Sequence, residues 1–273
     1  LNPPDTVTPS ESEPLPPELA DALARGGDRL KSFVRDVRWF PRVPSTNDAA
    51  AAEAERGAPD GTVIVAGSQS AGRGRHGRVW QSPAGSGLYT SILLRPTPNV
   101  LPLITIAAGV ALGDGIRAST GIVTTLKWPN DVYIGSRKLA GILAEVGTSS
   151  SGASHVILGF GVNLRPGVYP ADVEARATSL EAEAVGPVDA GVVLRECLAA
   201  LAARYDDLRS GRADIVIDAW RTYARPLLGR AVEWDERGTP RRGVAQNVDA
   251  TGALLVKTDE GVMRLVSGEV RWI

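Results

Sequence analysis

The chain has 273 residues, and its 30 Lys and Arg nearly balance 31 Asp and Glu, giving a formal net charge of −1. That balance excludes a protein whose whole surface is a nucleic-acid footprint, and 43% hydrophobic residues suffice for one large domain with a small appendage. A single cysteine, Cys197, excludes an internal disulfide, and two histidines, His76 and His155, leave no Cys/His spacing for zinc. No apolar run reads as a bilayer span, and no basic stretch precedes an apolar one at the N-terminus, so a cytoplasmic protein without a membrane partner is expected.

Residues 1–17 are rich in Pro, Ser, Thr and Glu and read as a disordered tail. Leu19, Leu23, Leu30, Phe33 and Val34 recur near helical spacing on either side of Gly26 and Gly27, which predicts one or two short helices. Residues 37–40 read as a strand. Ser45 or Thr46 is placed to cap a helix over 49–54, with Asp48 near its positive end. The β-branched stretch 62–66 predicts a strand that feeds a loop over 67–80. Residues 88–94 read as a strand and 99–119 as a helix, in which Gly109 and Gly113 predict close packing against a sheet. Residues 124–134 and 138–146 read as two strands around a turn at Gly135 and Ser136, and 155–164 as a further strand.

Leu194, Leu198, Leu201, Tyr205 and Leu208 mark an amphipathic helix that takes Cys197 into the core, and 215–223 continues helically. Beyond Pro226 the pattern changes to short alternating segments between polar turns, which predicts a small β-barrel of about five strands. The chain therefore divides into a tail (1–17), a main domain (18–226) and a small C-terminal domain (227–273).

The 67–80 loop carries the strongest chemical signal. Gly72, Gly74 and Gly77 alternate with Arg73, Arg75 and Arg78, and Trp80 closes it. Glycines allow close backbone approach, and arginine forks match phosphate or carboxylate oxygens, so the loop reads as an anion wrap. A P-loop is rejected, because Arg73 and Gly74 stand where Lys and Ser/Thr belong. A flexible basic loop or an RNA-contacting segment remains open on this stretch alone. His76, at the loop tip, reads as solvated.

Three further stretches join it. In Lys127-Trp-Pro-Asn-Asp131, Pro129 cannot donate a ladder bond, so Asn130 and Asp131 are expected to leave regular pairing. They could hold a ribose, a phosphate or Mg²⁺, or form a structural turn. Lys138 lies one hairpin away, either as a solvated strand end or facing the same cavity, where an ammonium would stabilise developing negative charge. In the strand 156–164, Val156, Leu158, Phe160, Val162 and Leu164 share a core face, whereas Ile157, Gly159, Gly161 and Asn163 share the other. The two glycines make either a groove for a flat ligand or room for a neighbouring element.

These stretches together resemble biotin–protein ligases: Gly72-Arg-Gly-Arg-His-Gly-Arg-Val-Trp80, Lys127-Trp-Pro-Asn-Asp131, Lys138-Leu-Ala-Gly141 and Gly159-Phe-Gly-Val-Asn163, with Ser45-Thr-Asn47 and Gln69 fitting the same order. The resemblance covers about 38–273. It implies an α+β fold, with a mixed central sheet flanked by helices as in class II aminoacyl-tRNA synthetases, and an SH3-like C-terminal domain. It implies ATP-dependent activation of biotin as biotinyl-5′-AMP, with Mg²⁺, and transfer to one lysine of a biotin carboxyl carrier domain. Ser45, Thr46, Asn47 and Gln69 are then expected to line the biotin site. Arg73, Gly74 and Arg75 are expected to cover biotin and the adenylate phosphates, and Arg78, Trp80, Lys127 and Asn130 to serve the nucleotide. Lys138 is expected at the reacting carboxylate, making Lys138, Arg73 and Arg75 the catalytic set. Gly141, Gly159, Gly161 and Asn163 shape the pocket, Asn163 on the nucleotide side, and Asp131 is the candidate Mg²⁺ ligand. A lipoate or octanoate ligase of the same fold is the alternative. The first 37 residues are too short for the DNA-binding domain that some relatives carry, so no DNA partner is expected. A monomer is expected, with a ligand-dependent dimer as the alternative, and the 67–80 loop is expected to be disordered when empty.

Overall fold

The computed structural model describes residues 12–167, 169–184 and 186–273. Most of the expected tail lies outside them. Its described end is bound to the fold: the Glu13 N–H donates to the Trp39 carbonyl at 2.9 Å, and Leu15 packs on the core. The two short helices follow as α1 (Pro17–Ala24) and α2 (Asp28–Lys31). The chain then runs through β1 (Asp36–Phe40), α3 (Thr46–Glu55), β2 (Thr62–Ala66), β3 (Gly87–Leu94) and α4 (Ile104–Thr120). Next come β4 (Thr125–Lys127), β5 (Asp131–Ile134), β6 (Arg137–Thr148) and β7 (Ser154–Asn163). Two one-turn helices, α5 (Ala171–Glu174) and α6 (Leu180–Glu183), lead to α7 (Ala190–Arg209) and α8 (Ala213–Ala224).

The first seven strands form one mixed sheet in the order β1-β2-β3-β7-β6-β5-β4. Only β1 and β2 run parallel; every other neighbouring pair is antiparallel. Helices cover both faces. On one, α4 crosses the sheet, with Gly109 over Leu126 and Ile142, and α7 and α8 pack outside it. The core face of β7 joins this cluster through Val156, Leu158, Phe160, Val162 and Leu164, as its alternation predicts. On the other face α3 closes a smaller cluster of Phe40, Val43, Ala50, Ala54, Ile64, Leu93 and Ile157. Cys197 is buried in α7, and burial pushes its thiol up to about 12.

Four expectations need correction. Residues 124–134 are not one strand but two, β4 and β5, folded back about a turn at Trp128, Pro129 and Asn130 with a cis Trp128–Pro129 bond. Asn130 does leave the ladder, but Asp131 stays in it, opposite Lys127 on one side and Gly141 on the other. Gly113 faces Tyr223 of α8 and Thr124, so the close approach there is chiefly to a helix. Finally, Leu101–Thr120 is long and apolar enough to cross a membrane, at mean hydropathy 1.4, but 67% of that window is buried inside the protein. An all-round apolar helix between a sheet and a second helix layer has that composition because both sides need it.

The C-terminal strands are β8 (Ala231–Glu236), β9 (Thr239–Val248), β10 (Leu254–Thr258), β11 (Gly261–Leu265) and β12 (Val270–Trp272). They form one antiparallel sheet in the order β11-β10-β9-β8-β12, and its edge strands do not pair with each other among the described residues. The sheet is tied to the main domain by the Trp128 indole N–H, which donates to the Gly252 carbonyl at 2.9 Å, and by Arg221 of α8, which donates to Asn247 Oδ1 at 2.8 Å.

The tightest helix contact is at Gly115, where an added Cβ would lie 2.5 Å from Cys197 Cα and 2.6 Å from its N. Backbone atoms cannot swing aside as side chains do. Gly115→Ala is expected to lower stability by about 1–3 kcal/mol, read as a lower midpoint in urea with an unchanged slope.

Candidate functional site

The sheet face beneath α3 is organised in two cross-strand rows. One runs Lys127, Asp131, Gly141, Gly161, Tyr89; the next runs Leu143, Gly159, Ser91. Glycines at 141, 159 and 161 strip the middle of this face of side chains. Above it sits a cavity of about 440 Å³, walled by the first turn of α3, the 67–80 loop, the β4–β5 turn, the β5–β6 hairpin and the 268–271 segment of the C-terminal sheet.

The glycine face is partly filled. An added Cβ at Gly161 would lie 2.6 Å from Trp80 Cε2, and one at Gly141 would lie 3.1 Å from Trp80 Cζ3. The indole therefore lies flat against two adjacent strands. At Gly159 the nearest side chain is Asn47, with Cγ at 3.0 Å from the added Cβ. The groove and the room for a neighbour turn out to be one feature, since Asn47 and Trp80 are themselves cavity walls. The Trp80 Nε1 donor is buried without a partner among the described residues.

The α3 N-terminus forms as its sequence predicts. Ser45 takes an extended conformation as N-cap, and its hydroxyl accepts from the Asn47 N–H at 3.3 Å. Thr46 donates its N–H to Gln69 Oε1 at 2.8 Å, and Gln69 in turn donates to Ser82 Oγ at 2.7 Å. Asn47 donates to Glu145 at 2.5 Å and accepts from Ser91 at 2.6 Å.

Cations surround the cavity, each held by a neighbour. Arg73 bonds Glu145 through Nε at 3.3 Å and Nη2 at 3.1 Å, and pairs through Nη1 with Asp48 at 2.7 Å. Burial works against its charge, but these carboxylates prevail and raise its pKa. Arg75 reaches the Asn130 amide oxygen at 3.4 Å and the Gly268 carbonyl at 3.3 Å; burial lowers its pKa, with Asp131 and Glu269 opposing. Arg78 pairs with Glu269, which holds the Glu269 carboxyl below its ordinary range. Lys127 lies between the Tyr133 and Trp272 rings, at 5.1 and 5.5 Å from their centroids, and burial lowers its pKa. Lys138 pairs with Asp131 at 2.7 Å and stands 5.3 Å from the Trp80 ring centroid.

Lys138 is fixed from its backbone as well. Its N–H donates to the Arg176 carbonyl at 2.8 Å, and its carbonyl accepts from Thr178 at 2.9 Å. Asn130 pins the turn to β6 by donating to the Ile142 carbonyl at 2.7 Å.

Every residue expected at the site lines this cavity except Asn163. Asn163 is buried, and its amide donates to the Thr178 carbonyl at 2.9 Å. It lies at the end of β7 against the 176–178 segment, so it braces the strip that holds Lys138 and does not line the cavity. Asp131 faces the cavity as the counter-ion of Lys138. Arg73 differs from expectation in that two carboxylates occupy its guanidinium. His76 lies exposed on the rim with φ 56°, and Gly77 beside it takes φ 71°.

Sequence reasoning missed Glu145, Ser91 and the 268–271 segment. Glu145 follows Gly141 and Leu143 at period two on β6, and Ser91 stands opposite Gly159 at period two from Tyr89 on β3, so both had a local signal. Glu269 had none, because it reaches the site from another sheet.

The description Biotin/lipoate A/B protein ligase family matches residues 39–163. Among curated relatives, the bifunctional ligase/repressor BirA of Bacillus subtilis is 33% identical over 259 residues, covering 93% of this chain and 79% of the relative. A biotin–[acetyl-CoA-carboxylase] ligase of Mycobacterium tuberculosis is 32% identical over 259 residues, covering 92% of this chain and 93% of the relative. Among solved structures, the biotin protein ligase of Aquifex aeolicus in complex with biotin and ATP superposes with a TM-score of 0.77 at 28% identity, over 88% of this chain and 100% of that one. With about a third of its residues shared with these relatives along nearly its own whole length, and the Aquifex enzyme's fold, the chain belongs to the biotin–protein ligase family.

Proposed function

We propose that the chain converts biotin and MgATP to biotinyl-5′-adenylate and pyrophosphate, and then passes the biotinyl group to a lysine of a biotin carboxyl carrier domain. The observation that carries this reading is the glycine-floored cavity, closed by a loop that brings Arg75 and Arg78 to the same space as Lys127 and Lys138. In the first step a biotin carboxylate oxygen attacks the α-phosphorus and the bond to the β-phosphate oxygen breaks. Two anions must meet, and fixed cations in a partly desolvated site lower that barrier without a protein nucleophile. In the second step the neutral amine of the carrier lysine attacks the acyl carbon, AMP leaves, and the amine proton passes to solvent.

The Trp80 ring and the Asn47 amide, laid on Gly161 and Gly159, give the cavity a flat wall that suits a fused ring, with Ser45, Thr46 and Gln69 offering polar atoms at its edge. Lys138, which lines the cavity 5.3 Å from the Trp80 ring centroid, supplies the ammonium for the reacting carboxylate in this reading. Arg78 and Lys127 lie towards the C-terminal sheet, on the nucleotide side. Among the described residues no three His, Cys, Asp or Glu side chains gather to hold a metal by themselves. That donor set suits Mg²⁺ arriving on the ATP phosphates, which needs one or two protein carboxylates, and Asp131, now the counter-ion of Lys138, is the candidate. The Trp80 lid excludes water from the labile adenylate.

The deciding assay supplies biotin, ATP labelled at the α-phosphate and a carrier domain. Labelled biotinyl-adenylate followed by biotinylated carrier is expected; calorimetric binding of lipoate without binding of biotin would overturn the reading. Lys138→Ala is expected to slow adenylate formation about 100-fold in single turnover, with an unchanged melting temperature. Gly161→Ala puts a methyl group into the Trp80 ring. The indole should leave its seat, and trypsin should cut at Arg73, Arg75 and Arg78 faster than in the parent while the melting temperature holds. Lys127 has a burial-lowered pKa, so its charge is lost at lower pH than that of an exposed lysine. Adenylate formation should therefore fall early on the alkaline side, and Lys127→Arg, which keeps its charge, should move that limb to higher pH.

A further inference from the structure

The hydrogen bonds beneath the lid make one connected path. Glu145 on β6 accepts from Arg73 of the lid and, through the same Oε2, from the Asn47 amide of α3. Asn47 accepts from the fully buried Ser91 hydroxyl, which also lies 2.8 Å from Thr46 Oγ1. Thr46 holds Gln69, Gln69 holds Ser82, and Ser82 donates to the Trp80 carbonyl at 3.1 Å. Both ends of the lid are thus fastened to the first turn of α3, which is also the polar edge of the cavity.

We propose that Glu145 is a positioning residue that couples lid closure to the biotin end of the pocket. This rests on the ligase reading above. Its carboxylate only accepts hydrogen bonds, and that fixes the orientation of Asn47. The amide NH₂ must face Glu145 and the carbonyl must face Ser91, because the reverse would set two acceptors against each other. The same carboxylate, together with Asp48, takes up the guanidinium of Arg73. Arg73 thereby acts as the latch of the lid, and charge for the reacting phosphate comes from Arg75, Arg78, Lys127 and Lys138. Lid and floor share one acceptor, so each is ordered at lower cost when the other is in place.

The test uses the full chain and three variants. Glu145→Gln keeps the shape and leaves an acceptor for Asn47, but turns an NH₂ or a neutral oxygen toward Arg73. Arg73→Ala removes the latch from the other side, and Glu145→Gln/Arg73→Ala closes a cycle. Three quantities are measured for each: biotinyl-adenylate dissociation, KM for biotin, and the single-turnover rate of adenylate formation at saturating substrates. Glu145→Gln is expected to speed dissociation about tenfold and raise KM, with the single-turnover rate and melting temperature unchanged. Because both substitutions break one latch, the double variant should release adenylate no faster than the worse single one. Independent, multiplying effects, an unchanged dissociation rate, or a fall in single-turnover rate matching the loss of stability would each overturn the proposal. If the parent protein makes no adenylate, the ligase reading itself fails, and that outcome is visible before any variant is made.

Discussion

The site depends on three missing side chains. Gly141 and Gly161 are direct cross-strand partners, and Gly159 lies in the next row of the same face. Together they let the Trp80 indole and the Asn47 amide rest on bare backbone. A methyl group at any of them meets one of those two groups, or Lys138, at 3.3 Å or closer. Strand pairing carries the consequence outward. Because the register is set by the hydrophobic alternation of β7 against α4 and α7, the core face and the bare face cannot be changed separately: a one-residue slip would exchange them. Stability and function are therefore written on alternate residues of the same strand.

The second constraint is electrostatic. A cavity meant for anions gathers cations, and in the empty protein those cations must be neutralised or shift their pKa. Both solutions occur. Arg73, Arg78 and Lys138 are paired with Glu145, Glu269 and Asp131, whereas Arg75 and Lys127 have their pKa lowered by burial. This explains how a net charge of −1 coexists with a strongly basic loop. It also gives the C-terminal sheet a part in the site, since Glu269, the Gly268 carbonyl and the Trp272 ring are neighbours of Arg78, Arg75 and Lys127.

What could be read from the sequence follows from how local each signal is. The alternation of β7, the Ser45 cap and the amphipathic stripe of α7 depend on neighbours a few residues away, and each took the form expected. The 124–134 stretch misled because its apolar and β-branched residues suit either one long strand or two short ones. The turn is carried by Pro129 alone, and the sequence offers it only as the alternative to a released pair at Asn130 and Asp131. Asn163 misled for another reason. Its place on the bare face at the end of β7 pointed into the cavity, but the 176–178 segment, with no strong periodicity of its own, comes back across it. Glu145 and Ser91 were within reach of the same period-two reasoning that singled out Gly159.

The lid shows how little energy such a closure requires. Val79 is 71% exposed, so the loop buries little of its own apolar surface apart from Trp80. His76 and Gly77 take left-handed backbone in succession, a conformation glycine adopts freely and histidine adopts at some cost. The base of the loop is bonded to the fold through Ser70, Ala71 and Gln69, and what holds its tip down is the Trp80 seat, the Arg75 bonds to Asn130 and Gly268, and the pairs made by Arg73 and Arg78, whose side chains are 35% and 63% exposed. Pairs exposed to that degree contribute roughly 0–1 kcal/mol each. Against them stands the ordering of a glycine-rich segment, which loses more backbone freedom than any other composition. Closure of the empty protein is then nearly balanced, and a ligand that touches both Trp80 and the α3 edge needs only modest differential affinity to shift it. A loop of arginines and glycines meets both requirements at once, loose enough to admit substrate and charged enough to be held when its partners are in place.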